Sequence, residues 1–583
     1  MRRRGPDARG IKITERAILF HTRLIVVDPE NGAQPMTQKE NGLEYTIVYN
    51  GELYNTEELR KELTAAGIEF FGHSDTEVVL KSYIHWGEKC LDRFNGIFAF
   101  AVWEEATQRL FFARDRMGVK PFFYALKNDT FIFGSEIKTL LEYPDIEPVI
   151  DRKGIIDLLF IGPGRTPGCG VFRDIHELEP GHCGTFDRNG LRTFSYWKLK
   201  DRLHTETFEE TSDHVRYLVT DAIRRQLVSD VPLGTFLSGG LDSSIISAVA
   251  ASHFRSLGHQ LDTFSVTYTD NQKYFKTSKF QPTTDEPYIQ MMAEFLGSNH
   301  HTFVVDNEQL ALALKAAVDA RDLPGMADVD SSLLLFCEEI KKHVTVALSG
   351  ECADEIFGGY PWYRDEKIRS AYGFPWAQTT AMRQKFLTPH LRKLIDGEAE
   401  VSARYEQALA ETDKSEGLSP KESRLREMVH LNMYWFMQTL LTRKDRMSMY
   451  HGLEVRVPFC DHRIAEYMYS VPWEMKEYKG MEKGLLRHAV EGLLPDEIRL
   501  RKKSPYPKTH NPQYTSIVSG MLKEITDNSD APIFDLVDRN ALTGLLNDEF
   551  TQPWYGQLMT TPQTIAWFLQ LDYWLAKYKV ELV

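Results

Sequence analysis

A serine- and glycine-rich loop near the middle of the chain is the feature that most constrains the fold. The loop reads Phe236-Leu-Ser-Gly-Gly-Leu-Asp-Ser-Ser244, follows an apolar strand pattern and opens the apolar periodic segment at 245–252. Two glycines at a strand–helix junction let backbone N–H groups approach a phosphate, and the start of a helix adds unpaired N–H groups and partial positive charge. The sequence therefore predicts a phosphate-binding loop between a strand and a helix.

The side chains of this loop suit a diphosphate and its metal. Ser238, Ser243 and Ser244 can donate hydrogen bonds, and Asp242 can hold Mg²⁺ against phosphate oxygens. The chain has no G-x-x-x-x-G-K-[ST] motif, which excludes a Walker-type loop. A serine-capped helix after a strand is the structural alternative, and the complete string in this setting favours the phosphate site. The glycine-rich stretch at 162–168 lacks the strand–helix setting and is predicted to be a turn.

A second motif follows another predicted strand. It reads Ser349-Gly-Glu-Cys-Ala-Asp-Glu355, and parallel sheets bind ligands at the carboxyl ends of their strands. Asp354 is a candidate second Mg²⁺ ligand, and Glu351 is placed to act on the substrate or on the incoming amine. Lys483 could neutralise charge on the α-phosphate in the transition state. Taken singly, a solvated acidic turn and a surface lysine are the structural alternatives.

The chain divides into two parts with different patterns. Residues 46–136 read as short aromatic and β-branched strands with hairpin spacing, which predicts an antiparallel meander. After residue 208, helical periods alternate with short strands, which is typical of a parallel sheet with crossover helices. Beyond residue 400 the pattern is mostly helical. We predict domains at 1–200 and 208–583. The strands predicted for the second domain are 234–237, 261–266 and 344–348.

Composition and charge exclude several classes of protein. A chain of 583 residues is too long for one ordinary core, and its formal net charge of -14 argues against a general nucleic-acid binder. The six cysteines form no C-x-x-C pair and no zinc-type spacing, as expected of a reduced protein. The sequence shows neither a bilayer-length apolar run nor a signal-peptide pattern. We therefore expect a cytoplasmic protein without a membrane or nucleic-acid partner.

The loop resembles that of the N-type ATP pyrophosphatases, and the complete set of motifs resembles one family. Taken in order with Arg443-Lys-Asp-Arg-Met-Ser448 and Leu453-Glu-Val-Arg-Val-Pro-Phe459, the motifs are similar to those of glutamine-dependent asparagine synthetases of the bacterial B type. The resemblance covers nearly the whole chain. It implies an α+β N-terminal-nucleophile-type antiparallel β-sandwich domain, followed by an α/β PP-loop ATP pyrophosphatase domain with a helical C-terminal part. It also implies a carbon–nitrogen ligase that adenylates aspartate with ATP and lets ammonia displace AMP.

The resemblance assigns roles to residues of the second domain. Asp242 and Asp354 would manage Mg²⁺ and pyrophosphate. Glu351 would support the β-aspartyl-AMP step, and Lys483 would stabilise the phosphate. Arg456 is a candidate ligand for the substrate carboxylate. The residues expected to contact ATP or pyrophosphate are Leu237, Ser238, Gly239, Gly240, Asp242, Ser243, Ser244, Val266, Ser349 and Gly350.

The front domain resembles the N-terminal-nucleophile glutaminase of the same family. Arg23 and Asp75 suit the carboxylate and the α-ammonium group of glutamine. Asn50 and Gly51 offer donors for an oxyanion hole, and Glu52 belongs to the same expected glutamine site. The matching segments are Arg3-Arg-Gly-Pro-Asp7, His21-Thr-Arg-Leu-Ile-Val-Val27, Asn50-Gly-Glu52 and Ser74-Asp-Thr-Glu77.

The sequence departs from the family at the nucleophile. Glutaminases of this type use a cysteine at the mature N-terminus, whereas residue 2 is Arg2 and the first cysteine is Cys90. Met1 matches an interior position of the family pattern. Either the start is truncated or misplaced, or the protein is an ammonia-dependent form with a vestigial glutaminase. As written, the chain is expected not to hydrolyse glutamine and to take ammonia from solution.

Two other functions stay open at this point. The same chemistry could act on another carboxylate, such as a sugar acid, a peptide or a secondary metabolite. The missing cysteine also allows a non-catalytic regulatory relative that binds glutamine or nucleotide. Cyclising relatives have tyrosine where this chain has Glu351, so this residue favours intermolecular attack by ammonia. The expected partners are small molecules, namely ATP, aspartate and ammonia or glutamine, and a homodimer is possible.

Overall fold

The structure is a computed structural model, and it describes residues 1–275, 277, 283–547 and 552–583. Antiparallel hairpins build the part before residue 196, and a parallel sheet with helices builds the part after residue 232. The two patterns confirm the predicted antiparallel front and the predicted α/β domain behind it.

The front part has all its strands in three antiparallel sheets, except a two-residue strand at 149–150. Its strands are β1 (Ala8–Ile13), β2 (Ile18–Arg23), β3 (Met36–Glu40), β4 (Leu43–Leu53), β5 (Gly96–Glu104), β6 (Arg109–Arg114), β7 (Phe123–Lys127), β8 (Thr130–Gly134), β9 (Val149–Ile150), β10 (His176–Glu177), β11 (His182–Asp187) and β12 (Gly190–Ser195). The largest sheet has the strand order β12-β11-β6-β5-β4-β3. A smaller sheet has the order β10-β7-β8, and β1 pairs with β2 in a hairpin.

Aromatic rings fill both faces of the largest sheet. Phe112 of β6 stacks on Phe122 and on Phe131, with ring centroids 5.2 and 4.9 Å apart. Its neighbour Phe111 stacks at 4.9 Å on Tyr83, which belongs to a helix on the opposite face. Because successive side chains of a strand point to opposite faces, one apolar strand serves two cores. The sheet is therefore the middle layer of a sandwich.

Two helices interrupt the predicted run of front strands. Helix α1 (Thr56–Ala65) buries Leu59 and Leu63, and helix α2 (Asp75–Trp86) begins after the N-cap Ser74. The strand pattern predicted for residues 46–136 did not place these two helices. A spacing of four between buried leucines is a helical period, and serine at this position caps a helix.

The second part is organised around a five-stranded parallel sheet. Its strands are β13 (Leu233–Phe236), β14 (Asp262–Tyr268), β15 (Asn299–Val305), β16 (Val346–Leu348) and β17 (Glu454–Arg456). The strand order is β15-β14-β13-β16-β17, so the order changes direction at β13. Such switch points open a crevice at the carboxyl ends of the strands, where α/β proteins bind ligands. The three strands predicted in this domain are confirmed as β13, β14 and β16.

The remaining α-helices are two short ones in the front part, followed by those that surround the parallel sheet and form the helical C-terminal part. They are α3 (Ile137–Leu140), α4 (Arg152–Ile156), α5 (Phe208–Arg225), α6 (Leu241–Ser256), α7 (Asn271–Tyr274), α8 (Glu286–Leu296), α9 (Asn307–Arg321), α10 (Asp328–Lys341), α11 (Ala353–Phe357), α12 (Glu366–Ser370), α13 (Thr380–Gln384), α14 (Leu391–Leu394), α15 (Gly397–Ala410), α16 (Pro420–Leu431), α17 (Met437–Met449), α18 (His462–Ser470), α19 (Trp473–Lys476), α20 (Gly484–Ala489), α21 (Asp496–Arg499), α22 (Pro512–Asp527), α23 (Arg539–Gly544) and α24 (Thr561–Tyr578). In the part of the chain that the structure describes, no helix has the length and apolar character needed to cross a membrane.

The end of the front part packs against the end of the chain. Strand β18 (Glu581–Leu582) pairs in parallel with β9, and the ring of Phe172 lies 5.4 Å from that of Trp574 in α24. Buried ion pairs join the two parts elsewhere, for example Arg4 with Asp445 at 2.7 Å. The two domains therefore share a continuous apolar and ionic interface.

Candidate active site

Hydrogen bonds between serines close the predicted phosphate loop. The loop leaves β13 and enters α6, and Ser238 Oγ lies 3.0 Å from Ser243 Oγ. The backbone N–H of Ser238 donates to the same Ser243 oxygen at 3.2 Å, and Ser243 Oγ donates to the Gly240 carbonyl at 3.2 Å. The serines thus hold the loop at the N-terminus of α6, where the unpaired N–H groups of the first turn lie.

Glycines allow the chain segments of the site to approach one another. Gly239 has φ of +65°, and a Cβ there would lie 2.7 Å from the Tyr288 Cβ. A Cβ at Gly350 would lie 3.0 Å from the Asp242 Cβ, because the turn after β16 packs against the loop after β13. These contacts bring the two sequence motifs to one crevice.

Two carboxylates converge on one buried lysine. Lys483 Nζ lies 2.5 Å from Asp242 Oδ2 and 2.5 Å from Asp354 Oδ1. Burial alone would lower the pKa of Lys483, but the two carboxylates outweigh it and raise the pKa above its usual value. A Cβ at position 359 would lie 2.6 Å from Lys483 Cε, so the absence of a side chain at Gly359 leaves room for the Lys483 side chain. Asp242, Asp354 and Lys483, which the sequence predicted separately as site residues, therefore lie together in the fold.

The same carboxylates fit a magnesium ion that is also bound by phosphate. Asp242 Oδ1 is buried without a hydrogen-bond partner and is available to a cation. Among the described residues, no group of three or more His, Cys, Asp or Glu side chains could hold a metal by itself. Mg²⁺ commonly takes one or two carboxylates and completes its coordination with phosphates and water. Asp242 and Asp354 suit that mode of binding.

Glu351 lies in the same crevice, held by two cations of α17. Its Oε1 lies 3.2 Å from Arg443 Nη2 and 3.1 Å from Lys444 Nζ. Ser349 Oγ donates to the other carboxylate oxygen at 2.8 Å. Burial alone would raise the pKa of Glu351, but Lys444 and Arg443 outweigh it and lower the pKa to about 2. Glu351 is therefore a fixed negative charge at neutral pH.

Most of the predicted nucleotide-site residues line one cleft of about 240 Å³. Those that line it are Leu237, Ser238, Gly240, Asp242, Ser243, Val266, Ser349, Gly350, Glu351, Asp354 and Lys483. Gly239 does not line the cleft and packs against Tyr288. Ser244 is fully buried, and its N–H donates to the Gly240 carbonyl at 3.1 Å. Ser244 does not line the cleft, and its buried hydroxyl has no hydrogen-bond partner among the described residues, so its predicted phosphate contact stays a prediction.

The structure does not support the prediction that Arg456 binds a substrate. Its side chain has no exposed surface. It lies 2.8 Å from Glu454 and 3.1 Å from Glu52, and it donates to the Gln226 carbonyl at 2.8 Å. Only its backbone carbonyl approaches the site, where it accepts from the Ser349 N–H at 2.9 Å. Arg456 belongs to the contact between the domains.

Several basic and aromatic residues of the cleft were not predicted as site residues. Arg443 and Lys444 were recognised only as part of a motif, because their partner Glu351 is distant in sequence. Arg501 and Lys503 lie in a segment without regular structure between α21 and α22. No spacing rule relates that segment to the loop after β13. The unpredicted residues that line the cleft include Tyr360, Arg443, Lys444, Arg501, Lys503 and Tyr506.

A second pocket of about 100 Å³ lies in the front domain, on the edge of β4 that β3 leaves uncovered. Asp75 accepts from the Tyr49 hydroxyl at 2.8 Å and from the Leu53 N–H at 3.1 Å. Burial raises the pKa of Asp75 to about 6. His21 also lines this pocket, and its Nε2 donates to the Tyr49 carbonyl at 3.1 Å. The predicted residues Arg23, Asn50, Gly51, Glu52 and Asp75 all line it.

Like Asp75, two more of these residues are engaged by the protein itself. The Arg23 guanidinium donates to the carbonyls of Val27 at 2.9 Å and Asp28 at 2.6 Å. Glu52 is paired with Arg456. The pocket lining contains no cysteine among the described residues, and Cys90 lies fully buried in the core beneath α2. Burial raises the pKa of the Cys90 thiol, which disfavours a nucleophilic thiolate there.

Comparisons with known proteins agree with this geometry. The family described as asparagine synthase matches residues 214–576, and the family described as glutamine amidotransferase domain matches residues 1–197. The asparagine synthetase [glutamine-hydrolyzing] 3 of Bacillus subtilis is 52% identical over 584 residues, covering 100% of this chain and 95% of that protein. The asparagine synthetase [glutamine-hydrolyzing] 1 of Bacillus subtilis is 33% identical, covering 86% of this chain and 82% of that protein. The amidase chry2 of Gibberella zeae is 28% identical, covering 86% and 83%.

The fold, the loop and these matches define a carbon–nitrogen ligase that carries a glutamine amidotransferase domain. The chain belongs to the asparagine synthetase family.

Proposed function

We propose that this protein makes asparagine from aspartate, with ATP as the activating reagent and with AMP and pyrophosphate as products. The observation that carries the proposal is the convergence of Asp242, Asp354 and Lys483 beside Glu351 in one cleft. The phosphate loop supplies donors for a diphosphate, and the acidic turn after β16 faces the same space.

In the first step, an oxygen of the aspartate side-chain carboxylate attacks the α-phosphorus of ATP. A bond forms between this carboxylate oxygen and the α-phosphorus. The bond between the α-phosphorus and the oxygen that links it to the β-phosphorus breaks, and pyrophosphate leaves. The N–H groups of the loop and the Lys483 ammonium stabilise the negative charge on the leaving group. In the second step, ammonia attacks the acyl carbon, AMP leaves with the bonding electrons, and one proton is released.

Magnesium is the metal that we propose for this site. Asp242 and Asp354 would hold it, and it would supply positive charge to the phosphate oxygens. The residues of the chain perform the remaining tasks: the loop positions the diphosphate, and the apolar wall around Leu237 and Val266 accepts the base of the nucleotide.

Glu351 acts in this proposal as a fixed negative charge. A carboxyl group with a pKa of about 2 is a weak base at neutral pH. Its charge holds Arg443 and Lys444 at the cleft, where these cations can orient the carboxylates of the substrate and of the acyl-adenylate. It also attracts an ammonium ion to the position from which ammonia attacks.

The nitrogen donor and the acid are tested together. Purified protein is incubated with MgATP, ammonium chloride or glutamine, and a panel of acids, and AMP, pyrophosphate and amide product are measured. Aspartate with ammonium is expected to give asparagine. Because the described residues that line the front pocket include no cysteine, glutamine is expected to give a much lower rate than ammonium. A panel acid that gives product when aspartate does not would refute the assignment of the substrate.

An Asp242→Ala variant tests whether the reaction takes place in this cleft. It is expected to form neither AMP nor pyrophosphate, whereas a variant with full activity would refute the site. A homodimeric state and a cytoplasmic location stay predictions from the sequence.

A further inference from the structure

We propose that Lys503 is a second cation for the leaving diphosphate, beside Lys483. The inference rests on the proposed function and names a further residue of the same site. Lys503 lies between α21 and α22, in a segment whose residues 501–507 line the cleft.

The position of Lys503 places its ammonium group at the metal-binding carboxylates. Its Nζ contacts Asp354 Oδ2, whereas Lys483 Nζ contacts the other oxygen of the same carboxylate. The two ammonium groups therefore lie on either side of Asp354. The Lys503 side chain is 20% exposed and its Nζ lies 4.9 Å from the Tyr360 ring centroid, so it faces the cleft.

The backbone around Lys503 is anchored to both halves of the site. The N–H of Lys503 donates to Glu482 Oε1 at 3.0 Å, next to Lys483 in the chain. Two residues earlier, Arg501 donates to the Gly239 carbonyl at 3.0 Å and lies 2.5 Å from Asp285. The segment is thus attached to the phosphate loop at one end and to the segment of Lys483 at the other.

The balance of charge gives Lys503 a role when ligand binds. In the ligand-free site, the two ammonium groups of Lys483 and Lys503 balance the carboxylates of Asp242 and Asp354. A divalent cation would take over both carboxylates, since it carries the same total charge as the lysines. Both ammonium groups then become available to phosphate oxygens. A diphosphate needs more than one monovalent cation, and Lys483 alone supplies only one.

The flexible stem of lysine makes this exchange of partners possible. A lysine ammonium is a point charge with three donors on a four-carbon stem, so it can turn from a carboxylate to a phosphate oxygen without backbone movement. The anchored backbone keeps the ammonium within reach in both states. Lys503 thus contacts the substrate directly and is assigned as a catalytic residue.

The test measures binding of inorganic pyrophosphate by titration calorimetry in magnesium buffer. Lys503→Ala is expected to weaken pyrophosphate binding by about 10- to 100-fold, the loss of one charge-assisted hydrogen bond. AMP binding is expected to change less than about twofold, because the proposed contact of Lys503 is with the diphosphate, which AMP lacks. Lys503→Arg is expected to recover part of the affinity, because the charge returns. Lys523→Ala, at an exposed lysine of α22, is the control for the change in net charge.

The outcomes separate this inference from the proposed function. Unchanged pyrophosphate affinity in Lys503→Ala, or equal weakening of pyrophosphate and AMP, would overturn the role of Lys503. The same holds if the wild-type protein does not bind pyrophosphate. If pyrophosphate binding depends on Lys503 while no acid yields AMP, the proposed reaction fails and the binding role stands. Thermal unfolding of each variant, with Lys503→Gln as an uncharged substitute of similar length, identifies a folding defect.

Discussion

The carboxylate of Glu52 lies 3.1 Å from the guanidinium of Arg456. The sequence predicted each of these residues in a different substrate site, one for glutamine and one for the acid. In the fold they neutralise each other between β4 of the front sheet and β17 of the parallel sheet. Glu454 completes the group at 2.8 Å from Arg456. The ion pair therefore stabilises the contact between the two domains.

Removing the arginine tests this interpretation. Arg456→Leu leaves two buried carboxylates without their cation, and it is expected to lower the free energy of unfolding by about 3–5 kcal/mol. Denaturant or thermal unfolding measures the change. A second substitution, Glu52→Gln in the same chain, is expected to restore part of the stability. A variant with normal stability and only a raised KM for aspartate would instead return Arg456 to the substrate site.

Lys483 is expected to act on the rate of AMP formation. Lys483→Ala removes a cation that contacts the carboxylates of Asp242 and Asp354, and it is expected to lower kcat by about 10²- to 10³-fold. Lys479→Ala is a matched control, because Lys479 is exposed and has the same left-handed backbone, with φ of 56° against 53°. The rates of AMP and pyrophosphate release measure both variants. Comparable losses in the two variants would show an effect of the backbone rather than of the Lys483 charge.

Glu351 is expected to show no titration in the working range of the protein. Its ion pairs stabilise the fold above the ordinary carboxyl pKa, and that stabilisation is lost only as the pH falls towards the folded pKa of about 2. Glu351→Gln is therefore expected to lower asparagine formation by the same factor at every pH from about 5 to 9. Parallel pH–rate profiles of wild type and variant provide the measurement. Glu338→Gln, at an exposed position of α10, is the control. A factor that changes steeply between these limits would show that Glu351 exchanges a proton during turnover.

Buried histidines are expected to weaken the fold in mild acid. Burial lowers the pKa of His430 to about 4 and that of His462 to about 3. Because the unfolded chain takes up these protons near pH 6.5 and the folded chain does not, stability is present above that pH. It falls by up to about 1.4 kcal/mol per pH unit for each group as the pH drops towards the folded pKa.

His430→Phe isolates one of these contributions. The side chain packs 4.6 Å from the Tyr434 ring, so another ring fits the site. The loss of unfolding free energy between pH 7 and pH 5 is expected to be about 2 kcal/mol smaller than in wild type. Denaturant titrations at a series of pH values measure it, with His259→Phe at an exposed site as the control. An unchanged acid slope in His430→Phe would contradict the assignment.

Local patterns were sufficient for the parts of the molecule that depend on neighbouring residues. The strand before the phosphate loop, the helix after it and the aromatic hairpins are confirmed, because their signals are periodicity, glycine and turn residues within a few positions. The acidic turn after β16 could be placed at the same crevice as the loop, since parallel sheets bring the carboxyl ends of their strands together. Helices α1 and α2 were missed although their leucine spacing and serine cap were in the sequence.

The partners of the charged residues were decided only by the tertiary structure. The sequence determined that Glu351, Lys483 and Arg456 are present, and its motifs determined the strand–loop–helix unit that we propose as the diphosphate site. It could not determine that Arg456 turns to Glu52 in another domain, that Arg443 and Lys444 hold Glu351, or that Lys503 reaches Asp354. Long charged side chains pair with whatever the folded chain brings within about 4 Å, and residues separated by tens to hundreds of positions meet only through the packing of complete domains.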